Sequence, residues 1–295
     1  MASLTASGNR RPYTFAVTRA ARGAVSFAVF AIAVAVVWEA VKLLGGETTD
    51  VWQPPFHWKI ASDLNMPHVW EIASAFVEPA QRNGPALGVI LANAAVFTFR
   101  EAFGGFVIGA ALGLALAIVF VHSPFLERAL VPYVVASQTV PIIAIAPVVV
   151  IWLQGGWLSV AVISAYLTFF PVTIAGIRGL RSPDPRALEL MRSYAASPRD
   201  VLVKVRLPAA APYLFTSLKV AATASVVGAI IGELPSGIRD GLGGAILNFN
   251  QYYISGPEKL WAAIIVAALL GIGFFALVRA AELTLLRGRL GGRAA

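Results

Sequence analysis

The sequence lacks cysteine entirely, and it has few charged residues and only three histidines. The absence of cysteine excludes disulfides and cysteine-ligated metal sites. His57, His68 and His122 are far apart in the sequence, which argues against a histidine-ligated metal. Charged residues make up 13% of the 295 positions, about half of the roughly 25% found in soluble domains. The sequence contains no G-x-x-x-x-G-K-[ST] phosphate-binding loop either. These features argue against a soluble protein, a metal enzyme and a nucleotide hydrolase.

Hydrophobic residues dominate the chain, at 58% of the sequence and a mean hydropathy of +0.76. Apolar runs of about 20 residues recur, and each is long enough to cross a bilayer core of about 30 Å. The sequence therefore predicts an all-α, polytopic membrane protein with six spans, at 24–44, 102–122, 126–152, 158–177, 212–232 and 260–281. Lys219 lies inside the fifth span, so we expect it to sit near a helix end and to extend its amine to the membrane surface.

The distribution of lysine and arginine predicts the orientation. Basic residues precede the first span, follow the last one and fill the long connection between spans four and five, where they include Arg178, Arg181, Arg186, Arg192, Arg199, Lys204 and Arg206. With six crossings all these groups fall on one side, and positive residues stay in the cytoplasm. Both termini are therefore predicted to be cytoplasmic in this multi-pass protein, and the resemblance described below implies the bacterial inner membrane. The basic residues that give the chain its net charge of +8 lie beside apolar spans. This position indicates a bilayer rather than nucleic acid as the partner.

Five parts follow from this pattern. They are a cytoplasmic tail at 1–23, a first transmembrane helix at 24–44, an external segment at 45–100, a core of five further helices at 101–282 and a cytoplasmic tail at 283–295. In the external segment Val69, Ile72, Ala73 and Phe76 form a helical stripe that predicts a helix on the outer membrane surface.

The connection at 178–212 carries two consecutive helix-start signals. Asp184 precedes Pro185, and Ser197 precedes Pro198 with an acid at position 200. The sequence predicts two short helices at an angle, with an amphipathic surface. Such a surface suits docking on a partner protein, and its arginines suit lipid headgroups equally well.

The segment from Glu189 to Pro208 resembles the "EAA" loop of importer permeases of the ATP-binding-cassette family. That pattern runs Glu-Ala-Ala, three residues, Gly, nine residues, then Ile-x-Leu-Pro. Here Glu189 is the acid, Ala195 replaces the glycine, Val205 replaces the isoleucine, and Leu207-Pro208 ends the motif without a gap. Leu190-Met191 replaces Ala-Ala, and alanine at the glycine position predicts a turn that is either tighter or set differently.

The resemblance extends from about residue 85 to residue 290. It includes Thr98-Phe99-Arg100 with Gly105, the proline-rich stretch SQTVPIIAIAPVVVIW, and Gly232-Glu233 with Gly241-Leu242-Gly243. Within the family the sequence is similar to the nitrate, sulfonate, taurine and thiamine-precursor (pyrimidine) import permeases. The resemblance implies the type I importer fold, which is the fold of the methionine importer permease.

It also implies a role for the 178–212 loop as a coupling helix on a separate ATPase subunit. The coupling residues are then Ala187, Glu189, Leu190, Met191, Tyr194, Ala195, Ser197, Leu207 and Pro208. The implied partners are two ATPase subunits that hold ATP and magnesium, an external solute-binding protein and a second permease copy, with no cofactor in this chain. The transported solute is expected to belong to the nitrate, sulfonate, taurine or pyrimidine class.

Polar residues inside apolar spans indicate a translocation pathway. Ser137, Gln138 and Thr139 are mid-span and beside prolines, so they are expected either to line the pathway or to form hydrogen bonds between helices. Ser164, Tyr166 and Thr168 favour the second interpretation. Glu233, at the outer end of the fifth span, is expected to be an ordinary interfacial residue or a part of the outer gate. The glycines Gly104, Gly105, Gly109 and Gly113 predict close helix packing.

Two other functions remain as alternatives. A secondary transporter or channel that works without an ATPase predicts carboxylates inside the membrane, whereas Glu39 and Glu282 lie near the ends of the predicted spans. A polytopic membrane enzyme predicts clustered acids or histidines at one interface, and the sequence contains no such cluster.

Overall fold

A computed structural model describes residues 13–46, 53–81 and 84–290. The chain forms two units, residues 1–74 and 75–295. Within the described residues the regular secondary structure is helical, apart from an isolated bridge between Pro79 and Ala86. The predicted all-α class is confirmed.

The first unit contains α1 (Tyr13–Gly45), a short 3₁₀ turn (Lys59–Ala61) and most of α2 (Val69–Ala75). One ion pair and one histidine–carboxylate hydrogen bond fix the segment after α1 against that helix. Lys42 Nζ lies 2.6 Å from Asp63 Oδ1, and His68 Nδ1 lies 2.8 Å from Glu39 Oε2. Glu39 also accepts a hydrogen bond from the backbone N–H of Val69 at 2.8 Å, so one glutamate caps the start of α2. The predicted external helix exists, while its position on a membrane surface stays a prediction.

The second unit begins with α3 (Leu87–His122), α4 (Pro124–Ser137), α5 (Ile142–Trp152) and α6 (Gly156–Leu180). It continues with α7 (Pro185–Ser193), α8 (Pro198–Val201), a π-helical turn (Leu202–Arg206), α9 (Leu207–Ser236), α10 (Leu242–Gln251), a 3₁₀ turn (Tyr253–Ser255) and α11 (Pro257–Leu290). Its core lies between α3, α6, α9 and α11, where Ala102, Val160, Ala222 and Phe274 are buried together.

The glycines of α3 let α6 approach its backbone closely. A Cβ atom added at Gly109 would lie 2.6 Å from the Ala165 carbonyl oxygen and 2.7 Å from Thr168 Cβ. Larger residues cannot fit there without moving one helix, and this is the packing that small residues permit in membrane bundles. Ser164 Oγ adds a buried hydrogen bond of 2.7 Å to the Ser225 carbonyl of α9. The prediction of close helix packing along this glycine face is confirmed.

The third predicted span is broken. In place of one helix over 126–152, α4 and α5 meet at a bend of 98°. Residues 138–141 form the bend, because Pro141 provides no N–H for a continuing helix and directly precedes α5. Among the described residues five helices are long and apolar enough to cross a membrane, and six if the bent pair counts as one span. The expectation of six spans is met if α4 and α5 together count as one bent span.

Two further expectations about the spans are corrected. The helix expected at 102–122 begins at Leu87, because the charged residues Arg100 and Glu101 lie inside the helix rather than before it. Lys219 lies well inside α9 rather than near a helix end, while the reach of its amine to the membrane surface stays a prediction. Its Nζ lies 2.8 Å from Glu282 Oε2 on α11, and both side chains are about one fifth exposed. The long apolar helices can therefore hold this lysine by compensating its charge within the bundle.

Candidate functional site

The loop between α6 and α9, residues 181–206, folds into the two short helices that its sequence predicts. Asp184 Oδ1 accepts a hydrogen bond from the Arg186 N–H at 2.9 Å, and Pro185 occupies the first turn of α7. Ser197 Oγ accepts from the Asp200 N–H at 3.2 Å at the start of α8. Both caps use side chains next to the helix they begin, which is why local sequence signals predicted them.

The end of α7 is a Schellman turn built on an alanine. The N–H of Ala196 donates to the Met191 carbonyl at 3.0 Å, and the N–H of Ala195 donates to the Arg192 carbonyl at 2.9 Å. Ala195 itself has φ +50°, in the left-handed region that usually requires glycine. It stands at the glycine position of the EAA pattern. The alanine therefore adopts a left-handed conformation that favours glycine, at a cost in backbone strain.

Side-chain contacts tie the loop to the membrane-length helices. Arg181 forms a two-pronged ion pair with Glu127 of α4, with Nη1 2.8 Å from Oε1. Arg206 Nη1 donates to the Leu180 carbonyl at 2.9 Å, which joins the two ends of the loop. These contacts connect the two ends of the loop to α4 and α6.

The second helix of the loop does not end before the membrane helix. From α8 the chain passes through the π-helical turn directly into α9, with Pro208 in its first turn and Pro212 inside it. Both prolines therefore lie within one continuous helical path. Force on α8 therefore reaches α9 without a flexible joint.

The outer surface of α7 leaves two large apolar side chains uncovered. Leu190 is 56% exposed and Tyr194 is 77% exposed, and Glu189 lies between them and the helix start. Ala187 and Met191 are half-buried, as are Leu207 and Pro208, whereas Ala195 and Ser197 are exposed. Of the nine predicted coupling residues, this surface brings together Glu189, Leu190 and Tyr194.

Three of the predicted pathway residues lie at the bend between α4 and α5. Ser137 and Gln138 are half-buried and Thr139 is exposed. The hydroxyls of Ser137 and Thr139 each donate to a backbone carbonyl three residues earlier, both at 2.7 Å. The Tyr166 hydroxyl of α6 donates to the Ser137 carbonyl, so it holds the bend against the bundle. Tyr166 therefore forms the hydrogen bond between helices that its position in the sequence suggested. Thr139 remains exposed at the bend.

Glu233 lies apart from that bend and is only 1% exposed. Its Oε2 accepts a hydrogen bond from the Gly243 N–H at 2.6 Å, so it anchors the segment after α9 rather than lining an open surface of the chain. A second buried carboxyl group, Glu101 of α3, is its neighbour. The sequence interpretation missed Glu101 because the predicted helix started one residue after it. The adjacent Gly241-Leu242-Gly243 was the available signal, since glycine often marks close backbone approach.

A cleft of about 1170 Å³ opens where the ends of α9 and α10 meet the starts of α3 and α11. Amide and basic side chains contribute to its lining, among them Asn93, Asn248, Gln251, Arg239 and Lys259. The bend of α4 and α5 contributes no residue to this lining. Among the described residues no group of three or more histidine, aspartate or glutamate side chains is placed to hold a metal ion.

Comparison with known proteins gives a consistent assignment. The family described as binding-protein-dependent transport system inner membrane component matches residues 105–285. A probable ABC transporter permease protein of Haemophilus influenzae is 37% identical over 52% of this chain and 62% of its own length. A formylaminopyrimidine transport permease protein of Halalkalibacterium halodurans is 34% identical over 63% of this chain and 73% of its own.

A putative aliphatic sulfonates transport permease protein of Bacillus subtilis is 30% identical over 68% of this chain and 72% of its own length. Among solved structures, that of an amino acid ABC transporter with histidines covers 66% of this chain and 94% of the other. It has a TM-score of 0.54 at 16% sequence identity. This likeness concerns the fold, and it matches the importer fold that the sequence resemblance implied.

Proposed function

Because this chain belongs to the family of binding-protein-dependent transport system inner membrane components, we propose that it carries a small solute into the cell by alternating access, driven by separate ATPase subunits. A solute-binding protein delivers the solute on the outer side. The chain lies in the bacterial inner membrane with both termini in the cytoplasm. ATP and magnesium bind the ATPase subunits and not this chain.

The α7 surface is the observation that carries this proposal. Leu190 on α7 and Tyr194 at its end are left largely exposed by the described part of the chain. An apolar pair of this kind, next to the charged Glu189, suits a groove with basic residues at its edge. The contacts of Arg181 and Arg206 then transmit movement of that groove to the bundle. Shifting a two-state transporter from 1:99 to 99:1 takes about 5.5 kcal/mol, which ATP binding at the partner supplies.

Reversal of the charge at Glu189 tests this role. Glu189→Lys is expected to abolish solute-stimulated ATP hydrolysis or assembly with the ATPase, while the chain still inserts in the membrane. Glu78→Lys makes the same change at another exposed glutamate and should transport normally. Normal uptake with Glu189→Lys would contradict the coupling role. If the loop rests on lipid instead, neutralising Arg186 and Arg192 will weaken membrane association and leave ATPase binding intact.

The bend at residues 138–141 is proposed to face the pathway between two permease copies. Tyr133 and Ile143, on either side of the bend, are 74% and 70% exposed in the single chain. A second copy covers such apolar surface in the proposed dimer, and Ser137, Gln138 and Thr139 then contact the solute in passing. Because the chain has no native cysteine, Thr139→Cys gives one labelling site. Labelling that changes between ATP-bound and nucleotide-free states is expected, and unchanged labelling would contradict this placement.

The solute is proposed to be neutral or weakly charged, of the pyrimidine type transported by the Halalkalibacterium halodurans relative. The charge of Lys219 is compensated by Glu282, so this lysine offers no free positive charge to an anion. Uptake of labelled formylaminopyrimidine should therefore be competed by related pyrimidines and not by sulfonates or nitrate. Competition by an aliphatic sulfonate would move the assignment to the anion-transporting relatives.

A further inference from the structure

Glu101 and Glu233 form a buried pair inside the helical bundle. Glu101 lies in α3 and Glu233 in α9, and each is only 1% exposed. Their carboxyl groups are within reach of each other. Two carboxylates buried together in a low-dielectric interior repel each other and lose their hydration, so such pairs do not both stay ionised.

The start of α10 determines which of the two holds the negative charge. The first N–H groups of a helix lack partners within that helix. Here the Leu242 N–H donates to Thr98 Oγ1 at 2.8 Å, and the Gly243 N–H donates to Glu233 Oε2 at 2.6 Å. The helix dipole favours an anion at this end. Glu233 is therefore the ionised member, because it caps α10 from another helix.

The remaining carboxyl oxygens lack a donor. Both oxygens of Glu101 and Oε1 of Glu233 are buried and receive no hydrogen bond within the described part of the chain. An unsatisfied buried charge of this kind is costly, so a donor is needed at this point.

The charged groups around the pair do not supply that donor. Arg100 on α3 is exposed, and so are Arg239 and Asp240 in the turn before α10. On α11, Lys259 donates to the Ala80 carbonyl at 3.3 Å, and Glu258 is a further acid. Arg178 lies in the last turn of α6. The part of α6 that packs near Glu233 is at the other end of that helix, where Val160 lies next to Gly232 of α9. Among the described ion pairs none includes either carboxylate.

We propose that Glu101 binds a proton and donates it in a hydrogen bond to Oε1 of Glu233, so that the pair is a buried proton-binding site joining α3, α9 and the start of α10. One proton neutralises Glu101 and gives Oε1 of Glu233 its missing donor. It also leaves a single negative charge, at the place where the α10 dipole stabilises it.

The packing around the pair favours a proton over a metal cation. A Cβ atom at Gly243 would lie 2.7 Å from Glu233 Cβ, and one at Gly241 would collide with the Glu233 carboxyl group. The backbone of the turn thus closes directly on the side chain. A cation with several oxygen ligands needs more space and more donor atoms than two carboxyl groups in this position provide.

Infrared spectroscopy of the full-length chain in nanodiscs of ether-linked lipids, which have no ester carbonyl band to overlap that of a carboxylic acid, tests the proposal. At neutral pH the wild-type spectrum should contain the carbonyl band of a protonated carboxylic acid. Glu101→Gln should remove this band, because the amide donates to Glu233 without taking up a proton. Glu78→Gln, at an exposed glutamate, should leave it intact. Absence of the band from the wild type, or its persistence in Glu101→Gln, would overturn the proposal.

Thermal unfolding in the same nanodiscs gives a second readout. The folded wild type holds a proton that the unfolded chain releases above about pH 4, so its melting temperature should fall as the pH rises from about 4 and level off once the folded pair loses that proton. Glu101→Gln should lose this decrease, whereas Glu101→Leu should melt lower at every pH because Glu233 keeps an unpartnered oxygen. If Glu101→Gln does not fold, Glu101→Leu still tests loss of the band. A melting temperature that follows sodium or potassium concentration instead of pH would show a metal cation at the site and refute the proton.

Discussion

The alanine in the Schellman turn after α7 gives a sharp test of the loop geometry. Ala195 has φ +50°, and a left-handed conformation costs an L-residue about 1–2 kcal/mol. Glycine has no such penalty, but it loses about 0.5–1 kcal/mol more backbone entropy on ordering. The difference predicts that Ala195→Gly stabilises the end of α7 by about 0.5–1 kcal/mol, which is a two- to fivefold change in a local opening equilibrium.

Hydrogen exchange of the backbone amides measures this change directly. The N–H groups of Ala196 and residue 195 close the turn, so their exchange should slow two- to fivefold in Ala195→Gly. Ala196→Gly is the matched control. Ala196 has no positive φ, so the same replacement there should speed exchange. Faster exchange in Ala195→Gly, or equal effects of the two variants, would refute the left-handed turn.

Three more predictions follow from the contacts. Gly109→Val should destabilise the bundle by about 1–3 kcal/mol because its side chain meets the Ala165 carbonyl and Thr168, which a lower melting temperature would show. Lys219→Met should destabilise the chain by leaving Glu282 unpaired, and adding Glu282→Leu should recover most of that loss in the same melting assay. Tyr194→Ala should weaken ATPase binding by about 1–2 kcal/mol, measured by co-purification at graded subunit concentration, with uptake falling in parallel.

Local signals in the sequence predicted the loop well. Asp184 and Ser197 each cap a helix through a neighbouring backbone N–H, so the information lies within a few residues. The register of the EAA resemblance was equally local. It placed Ala195 at the turn. In the structure this alanine has a positive φ, in the left-handed region that favours glycine.

Signals that depend on distant partners were misread. Arg100 and Glu101 interrupt an apolar run, so the sequence suggested that the helix starts after them. In the fold Arg100 is exposed while Glu101 is buried beside Glu233, and α3 continues through both. Lys219 suggested a helix end for the same reason, although Glu282 compensates it from 63 positions away. Hydropathy scores each charge alone and cannot include a partner that only folding brings near.

The sequence by itself determined the membrane class, the loop helices and the family resemblance, because apolar length, capping residues and motif spacing act over short stretches of chain. The tertiary structure decided which glycines admit a neighbouring helix and which charges are compensated in the interior. Those outcomes depend on contacts between α3, α6, α9 and α11, and the free energy of a buried charge is set by what packs against it.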